Sequence, residues 1–277
     1  MLHRSELRIR DPFILTDFEN KCYYMYGTTA LEKSSIAAKD SFSVYKSYDL
    51  EYFSEPKIVF EGSKINFWAT KDYWAPEVHK YNGKYYLFGS CKSETRHRAT
   101  QIFVSDTPDG IFTPLSDAPA TPADWECLDG TLWIEDDTPY LVFCHEWTQI
   151  KDGEMCAVRL SNDLRTPMGE PFVLFRASDA VGVTEIQPNS GNYITDGPFL
   201  YSENGKTKML WSSLFNGKYA VLTAESDSLR GTWSHLESRF AFDGGHAMVF
   251  ERLDGKKMIT LHAPNQADKE RAFFAEF

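Results

Sequence analysis

The chain has 277 residues, 42% of them hydrophobic and 15% aromatic, with 40 Asp and Glu against 29 Lys and Arg for a formal net charge of −11. That charge argues against nucleic acid as a partner, because such binding rests on Lys and Arg neutralising phosphates; a neutral small molecule or glycan is compatible with it. No apolar run approaches the roughly 20 residues that cross a bilayer, so a membrane is not an expected partner either.

In chain order, residues 1–10 are a polar lead-in in which Leu7-Arg8-Ile9 can act as a strand. The opening Met-Leu-His-Arg-Ser-Glu has no apolar signal region, which fits the cytoplasm as the sequence stands. A periplasmic or secreted protein whose export signal had been removed would look the same. A hairpin plan then recurs five times. Arg10-Asp11-Pro12-Phe13-Ile14-Leu15 returns through Tyr23–Thr28. Ala75-Pro76-Glu77-Val78-His79 turns at Asn82-Gly83 and returns through Tyr85–Ser90. Leu128-Asp129-Gly130-Thr131-Leu132-Trp133 returns through Tyr140–His145. Asp196-Gly197-Pro198-Phe199 turns at Asn204-Gly205 and returns through Lys208–Ser213. Gly245-His246-Ala247-Met248 turns at Asp254-Gly255 and returns through Met258–His262. Asn-Gly and Asp-Gly between apolar runs are strong hairpin signals.

Each hairpin is followed by alternating runs joined at Ser- and Asp-rich turns such as Ser105-Asp106-Thr107-Pro108 and Ser226-Asp227-Ser228-Leu229. The unit is therefore four strands, repeating every ~50–65 residues. Five four-stranded antiparallel sheets around an axis make an all-β, five-bladed β-propeller, with residues 1–277 as one domain; a β-sandwich or jelly roll does not account for five like hairpins. The last unit is one strand short, and Leu7–Ile9 is expected to supply it and close the ring. No stretch carries helical periodicity over a helix length. Two insertions interrupt the plan: Glu61–Trp74, which carries Phe67, Trp68, Tyr73 and Trp74, and the long polar connection Ala177–Ile194. Cys22, Cys91, Cys127, Cys144 and Cys156 show no metal-ligand spacing and read as free, buried thiols.

In a propeller the innermost strands all begin at one face, so their first residues converge. Here those are Asp11, Glu77 (or its neighbour Pro76), Asp129, Asp196 and His246, with Thr28, Ser90, His145, Glu146, Trp147, Ser212, Ser213 and His262 arriving from the return strands. Taken singly, Asp-Gly and Asp-Pro are ordinary turn chemistry. Massed carboxylates raise one another's pKa and divide into an acid and a base, as glycosidic hydrolysis requires; calcium binding is the competing use of clustered oxygens. Trp68, Trp74 and Trp147 are candidates for stacking on a sugar, against blade-to-blade packing as the alternative. Trp74, Glu77, Trp147 and Ser213 are the expected substrate contacts.

The ordered set Arg10-Asp11-Pro12-Phe13-Ile14, Trp74-Ala75-Pro76-Glu77-Val78, Leu128-Asp129-Gly130-Thr131-Leu132 and Gly244-Gly245-His246-Ala247-Met248 resembles glycoside hydrolase family 43 over essentially the whole chain. The resemblance implies a five-bladed, inverting hydrolase of arabinans, xylans and related plant cell-wall glycans, with oligosaccharide or polysaccharide as partner. It also implies Asp11 as general base and Asp129 as the carboxylate that tunes and orients the acid. No cofactor is required, and His246 would sit at a channel where many members hold water or a cation such as calcium. One position departs. The family's acid is typically a Glu before Gly-Pro at the fourth blade, and this chain has Asp196, whose carboxyl falls about 1.5 Å short. A shift of about 1 Å can cost ~10²-fold in rate. Glu146 is the leading alternative donor and Glu185 the next. The alternative reading is a non-catalytic or weakly active glycan-binding propeller; a scaffold for protein partners fits the massed carboxylates less well.

Overall fold

The computed structural model describes residues 1–29, 40–236 and 243–277. Five antiparallel sheets form a ring, each led by an innermost strand: Arg10–Asp17, Lys71–Tyr81, Cys127–Glu135, Asp196–Glu203 and Gly245–Glu251. The second strands are Cys22–Thr28, Lys84–Lys92, Thr138–His145, Lys206–Phe215 and Lys257–Ala263. The three middle blades are four-stranded. The first carries six strands and the described fifth carries three. The hairpin turns follow from local chemistry. Asn82-Gly83 and Asn204-Gly205 both take left-handed conformations, the paired geometry of a type I′ turn that matches the twist of the flanking strands.

Each sheet buries both faces against its neighbours, so apolar clusters sit between blades. One joins Phe42, Phe60, Tyr73 and Phe103 across the first two, with ring centroids 4.5 Å apart for Phe60 and Phe103 and 5.3 Å for Phe42 and Tyr73. Another joins Phe175, Trp211 and Trp233 across the third and fourth. The first insertion feeds this packing: Phe67 joins the aromatic cluster and Trp68 Nε1 donates to Gln101 Oε1 at 3.0 Å. The Ala177–Ile194 connection is tied back by Thr184 N to Leu214 O at 2.8 Å and closed on itself by Ile186 N to Asn192 O at 2.9 Å.

The expected closure by Leu7–Ile9 does not form. The segment makes one main-chain bond to the last blade, Ile9 N to Glu270 O at 3.3 Å, but no ladder. Leu2–His3 pairs instead with Tyr52–Phe53 of the first blade. The seam is held by side chains. Arg8 and Arg10 reach Glu270 at 3.3 and 3.6 Å, Arg10 Nη1 donates to Asn265 Oδ1 at 2.7 Å, and Arg271 Nε donates to Ser5 O at 2.7 Å. A fourth strand at this place would need its N–H and C=O groups free for a ladder; here the chain turns after Ile9 straight into the innermost strand.

Close inter-blade packing makes the second-blade residue Gly89 sensitive. A Cβ there would lie 2.4 Å from the Phe42 ring. Gly89→Ala is expected to destabilise the protein by about 1–3 kcal/mol through overpacking, read as a fall in the urea midpoint at unchanged slope.

Candidate active site

The innermost strand of every blade is interrupted at the same place. Pairing with the second strand jumps from Arg10–Thr28 to Phe13–Tyr26, from Trp74–Ser90 to Glu77–Phe88, and from Leu128–Cys144 to Thr131–Val142. The last two blades repeat it, from Asp196–Ser212 to Phe199–Leu210 and from Gly245–His262 to Met248–Thr260. Two inner residues oppose one outer residue, which is a β-bulge. The first bulged residue is left-handed each time: Asp11 (φ 54°), Ala75 (43°), Asp129 (56°), Gly197 (51°) and His246 (54°). Asp, His and Gly are residue types that enter this region most readily, and such strain clusters at functional sites.

The bulge leaves the N–H of that residue outside the ladder, and the blade before it supplies an acceptor. Ala75 N donates to Thr28 Oγ1 at 2.7 Å, Asp129 N to Ser90 Oγ at 2.9 Å and His246 N to Ser212 Oγ at 2.8 Å. Asp11 N lies 3.3 Å from His262 Nδ1. The Nε2 of His262 faces Asn265 Oδ1 at 3.2 Å, which suits the tautomer that leaves Nδ1 as acceptor. The corresponding residue of the third blade is Cys144, a poor acceptor; Gly197 N donates instead to Asp129 Oδ2 at 3.0 Å.

This geometry corrects the expected equivalence of five strand-opening residues. Asp11, Asp129 and His246 are equivalent, but Asp196 comes one residue earlier, in the row of Arg10, Trp74, Leu128 and Gly245. Glu77 comes two later, in the row of Phe13 and Thr131. The extra residue of the bulge makes the difference: both the residue before it and the first residue in it face the cleft, while residues after it descend into the channel.

A cleft of about 380 Å³ is lined by Arg8, Arg10, Asp11, Thr28, Trp74, Leu128, Asp129, Glu146, Trp147, Ile194, Asp196, His246, Ala267 and Glu270. It gathers seven of the nine expected site residues. Glu77 and Ser213 do not line it. Glu77 is buried below, 3.1 Å from His79 Nε2, and Ser213 donates to Ile194 O at 2.7 Å, holding a wall of the cleft from behind.

The three aspartates of the cleft are in unlike surroundings. Burial works against ionisation of Asp11, but the charge and hydrogen bond of His246, 3.2 Å away, and the charge of Arg10, 3.6 Å away, outweigh it and hold the carboxyl well below the usual range. Thr28 Oγ1 also donates to Asp11 Oδ2 at 2.8 Å. Burial pushes Asp129 up to about 6; His246 at 3.6 Å opposes this, and the charge of Asp11 adds to it. Burial, and then the charge of Asp129, push Asp196 up to about 8 against the pull of Arg10, His246 and a 3.0 Å hydrogen bond from the Tyr219 hydroxyl. One cleft thus offers an ionised carboxylate and a protonated one at neutral pH. His246 lies between Asp11 and Asp129. Its burial lowers its pKa, but the two carboxylates raise it to about 10, leaving an imidazolium. The Gly197 backbone lies against its ring: a Cβ there would come within 2.6 Å of it.

Glu146, the alternative donor, is in an ion pair: Arg98 Nη1 at 2.5 Å and Thr148 Oγ1 at 2.9 Å both donate to its Oε2. Arg98 also reaches Asp72 at 2.9 Å and lies 4.3 Å over the Trp74 ring, fixing the orientation of that ring at the cleft edge. Trp147 enters on a four-residue helix, Trp147–Ile150. Glu185 accepts from Gly191 N and the Tyr193 hydroxyl and does not line the cleft. Among the described residues no group of three or more His, Cys, Asp or Glu is arranged to hold a metal ion.

Sequence reasoning missed Arg10, Arg98, Tyr219 and Glu270. Arg10 could have been found: it precedes Asp11 as Asp196 precedes Gly197. Tyr219 opens a third strand, Lys218–Ser226, right after the Asn216-Gly217 turn, and third strands were not expected to reach the axis.

These shifts fix a pH dependence of stability. A histidine whose folded pKa is raised contributes fully below its unfolded pKa of about 6.5, and the contribution is lost as pH rises through about 10. Asp196 acts in the same direction, because between its unfolded pKa and about 8 the folded state binds the extra proton. The thermal midpoint is therefore expected to fall between pH 6 and pH 10. His246→Asn should start lower at pH 6 and fall less over that interval. A wild-type midpoint that stays level would contradict the charge state assigned to His246.

Residues 5–274 match the family described as Glycosyl hydrolases family 43. Among solved structures, the endo-arabinase from Bacteroides thetaiotaomicron VPI-5482 superposes with a TM-score of 0.91 at 42% identity, over 100% of this chain and 96% of that one. An endo-1,4-beta-xylanase from the same organism superposes with a TM-score of 0.80 at 25% identity, over 98% and 91% of the two chains. The extracellular endo-alpha-(1->5)-L-arabinanase 1 of Bacillus subtilis (strain 168) is 21% identical over 261 residues, 87% of this chain and 72% of that protein. The match takes in all five blades and both sets of cleft-facing residues, and this chain belongs to glycosyl hydrolase family 43 and is a glycosidase.

Proposed function

We propose that the protein hydrolyses α-L-arabinofuranosyl linkages of arabinan with inversion, Asp11 serving as general base and Asp196 as general acid. The observation that carries this reading is the opposed ionisation of two carboxyls in one cleft: Asp11 is held as an anion and Asp196 as an acid. The choice of arabinan among pentose glycans rests on the 42% identity to an endo-arabinase over nearly the full length of both chains.

In the proposed reaction Asp11 takes a proton from a water molecule as its oxygen bonds to the anomeric carbon. Asp196 gives its proton to the glycosidic oxygen, and the bond between that oxygen and the anomeric carbon breaks. The product is a hemiacetal of opposite configuration, with Asp11 protonated and Asp196 ionised until solvent resets both. Asp129 acts through Asp196: its negative charge makes the acid reluctant to lose a proton before the leaving oxygen accepts it. Trp74 and Trp147 offer ring faces to sugar C–H surfaces at the rim, and Arg98 and Glu146 brace the former.

Proton NMR of the first-formed product from arabino-oligosaccharide should show the inverted anomer; the retained anomer would overturn the one-step scheme. Asp11→Asn should lower kcat by ~10²–10⁴-fold, the usual span for a general base, with little change in binding. The pH profile of kcat/KM should fall on the alkaline side near 8, where Asp196 loses its proton, and hold across neutral and mildly acidic pH, because Asp11 stays ionised there. Release of sugar from xylan but not from arabinan would leave the acid and base in place and change the substrate.

A further inference from the structure

The two oxygens of the Asp196 carboxyl are chemically alike until a neighbour distinguishes them. Tyr219 is placed to do that. Its hydroxyl donates to Asp196 Oδ2 at 3.0 Å. The ring itself is fixed on three sides. It stacks on His262 with centroids 5.6 Å apart and planes 19° from parallel. The Arg10 guanidinium lies 5.9 Å from its centroid on the cleft side. The backbone of Gly245 takes up the remaining side so closely that a Cβ there would come within 2.2 Å of Tyr219 Cε1. The main-chain carbonyl of Tyr219 adds to this: it accepts from Gly244 N at 3.1 Å, which ties the start of the fourth blade's third strand to the entry of the fifth. The residue is 3% exposed.

We propose that Tyr219 is the positioning residue of the general acid: by donating to Oδ2 it reserves the proton of Asp196 for Oδ1, the oxygen left free to face the glycosidic bond. A phenol at neutral pH has one proton to give, and burial keeps this one bound. The oxygen it touches is thereby an acceptor, so a carboxylic proton resides on the other oxygen. The same bond restricts rotation of the carboxyl about its Cβ–Cγ axis. The inference rests on the assignment of Asp196 as the acid and adds to it the group that sets its direction.

The test uses Tyr219→Phe, which keeps the ring against His262 and Gly245 and removes only the donor, alongside Asp196→Ala. Rates are measured on an arabino-oligosaccharide and on aryl α-L-arabino-oligosides with good and poor phenol leaving groups. If Tyr219 directs the proton, Tyr219→Phe should lose about 10- to 100-fold in kcat on the oligosaccharide. It should lose under about 3-fold on the best aryl leaving group, which departs without protonation, with KM little moved. The charged groups facing Asp196 are Asp129, Arg10 and His246. With these unchanged, loss of a donor that favours the anion should also move the alkaline limb of kcat/KM to higher pH. Equal losses on all substrates with an unmoved limb would mean a purely structural role and would overturn the inference, as would full activity on the oligosaccharide. The Asp196→Ala arm separates the two claims. Leaving-group dependence in Asp196→Ala without any in Tyr219→Phe rejects the positioning role alone, whereas its absence in Asp196→Ala rejects the acid and the positioning role together.

Discussion

The site depends on one backbone event repeated five times: a bulge that turns a residue left-handed and takes its N–H out of the sheet. A buried N–H without a partner costs roughly as much as a lost hydrogen bond, so each bulge requires an acceptor from outside its own blade. The second strand of the preceding blade provides it, from Thr28 to Ala75, Ser90 to Asp129, Ser212 to His246 and His262 to Asp11. These bonds lock each cleft residue to the neighbouring sheet. The circuit fails at Cys144, and there Asp129 takes over as acceptor for Gly197. The carboxylate thus acquires a fixed orientation because a sulfur stands where the other blades have oxygen or nitrogen.

Symmetry of the backbone is combined with asymmetry of charge. His246 as an imidazolium leans toward Asp11 more than toward Asp129, at 3.2 against 3.6 Å, and Arg10 adds its charge on the same side. Asp196 feels the charge of Asp129 more strongly than the opposing charges of Arg10 and His246. Three aspartates in one cleft therefore have unequal proton affinity. The division into base and acid that we propose follows from these unlike surroundings.

Much of this was legible in the sequence, and the limits are physical. Hairpins announced themselves through Asn82-Gly83 and Asn204-Gly205, because left-handed turn residues are a local requirement that few residue types meet. Asp11, Asp129 and His246 were legible because each opens the innermost strand of a recurring hairpin, and those strands begin at one face of the ring. Register across a bulge was not: one additional residue moves Asp196 into the row before and Glu77 into the row after, and nothing in the alternation of apolar residues marks it. Long-range pairing was also hidden. That Arg98 claims Glu146, and that Tyr219 crosses to Asp196, depends on blades folding together rather than on any spacing along the chain. The expected closing strand failed for a similar reason, since Leu7-Arg8-Ile9 has strand composition but its backbone runs directly into the innermost strand.

The seam between the last and first blades has a mechanical implication. Among the described residues no strand is shared across it, and the side chains that fasten it, Arg8, Arg10 and Glu270, are also walls of the cleft. The latch of the ring and the rim of the catalytic cup are therefore one object. A sugar that touched both halves of the latch would hold the propeller closed at this joint, by mass action on the closed form. Breathing at the joint would in turn carry His246 and His262 of the fifth blade away from Asp11 of the first, and so disturb the cleft before the rest of the ring had begun to give way.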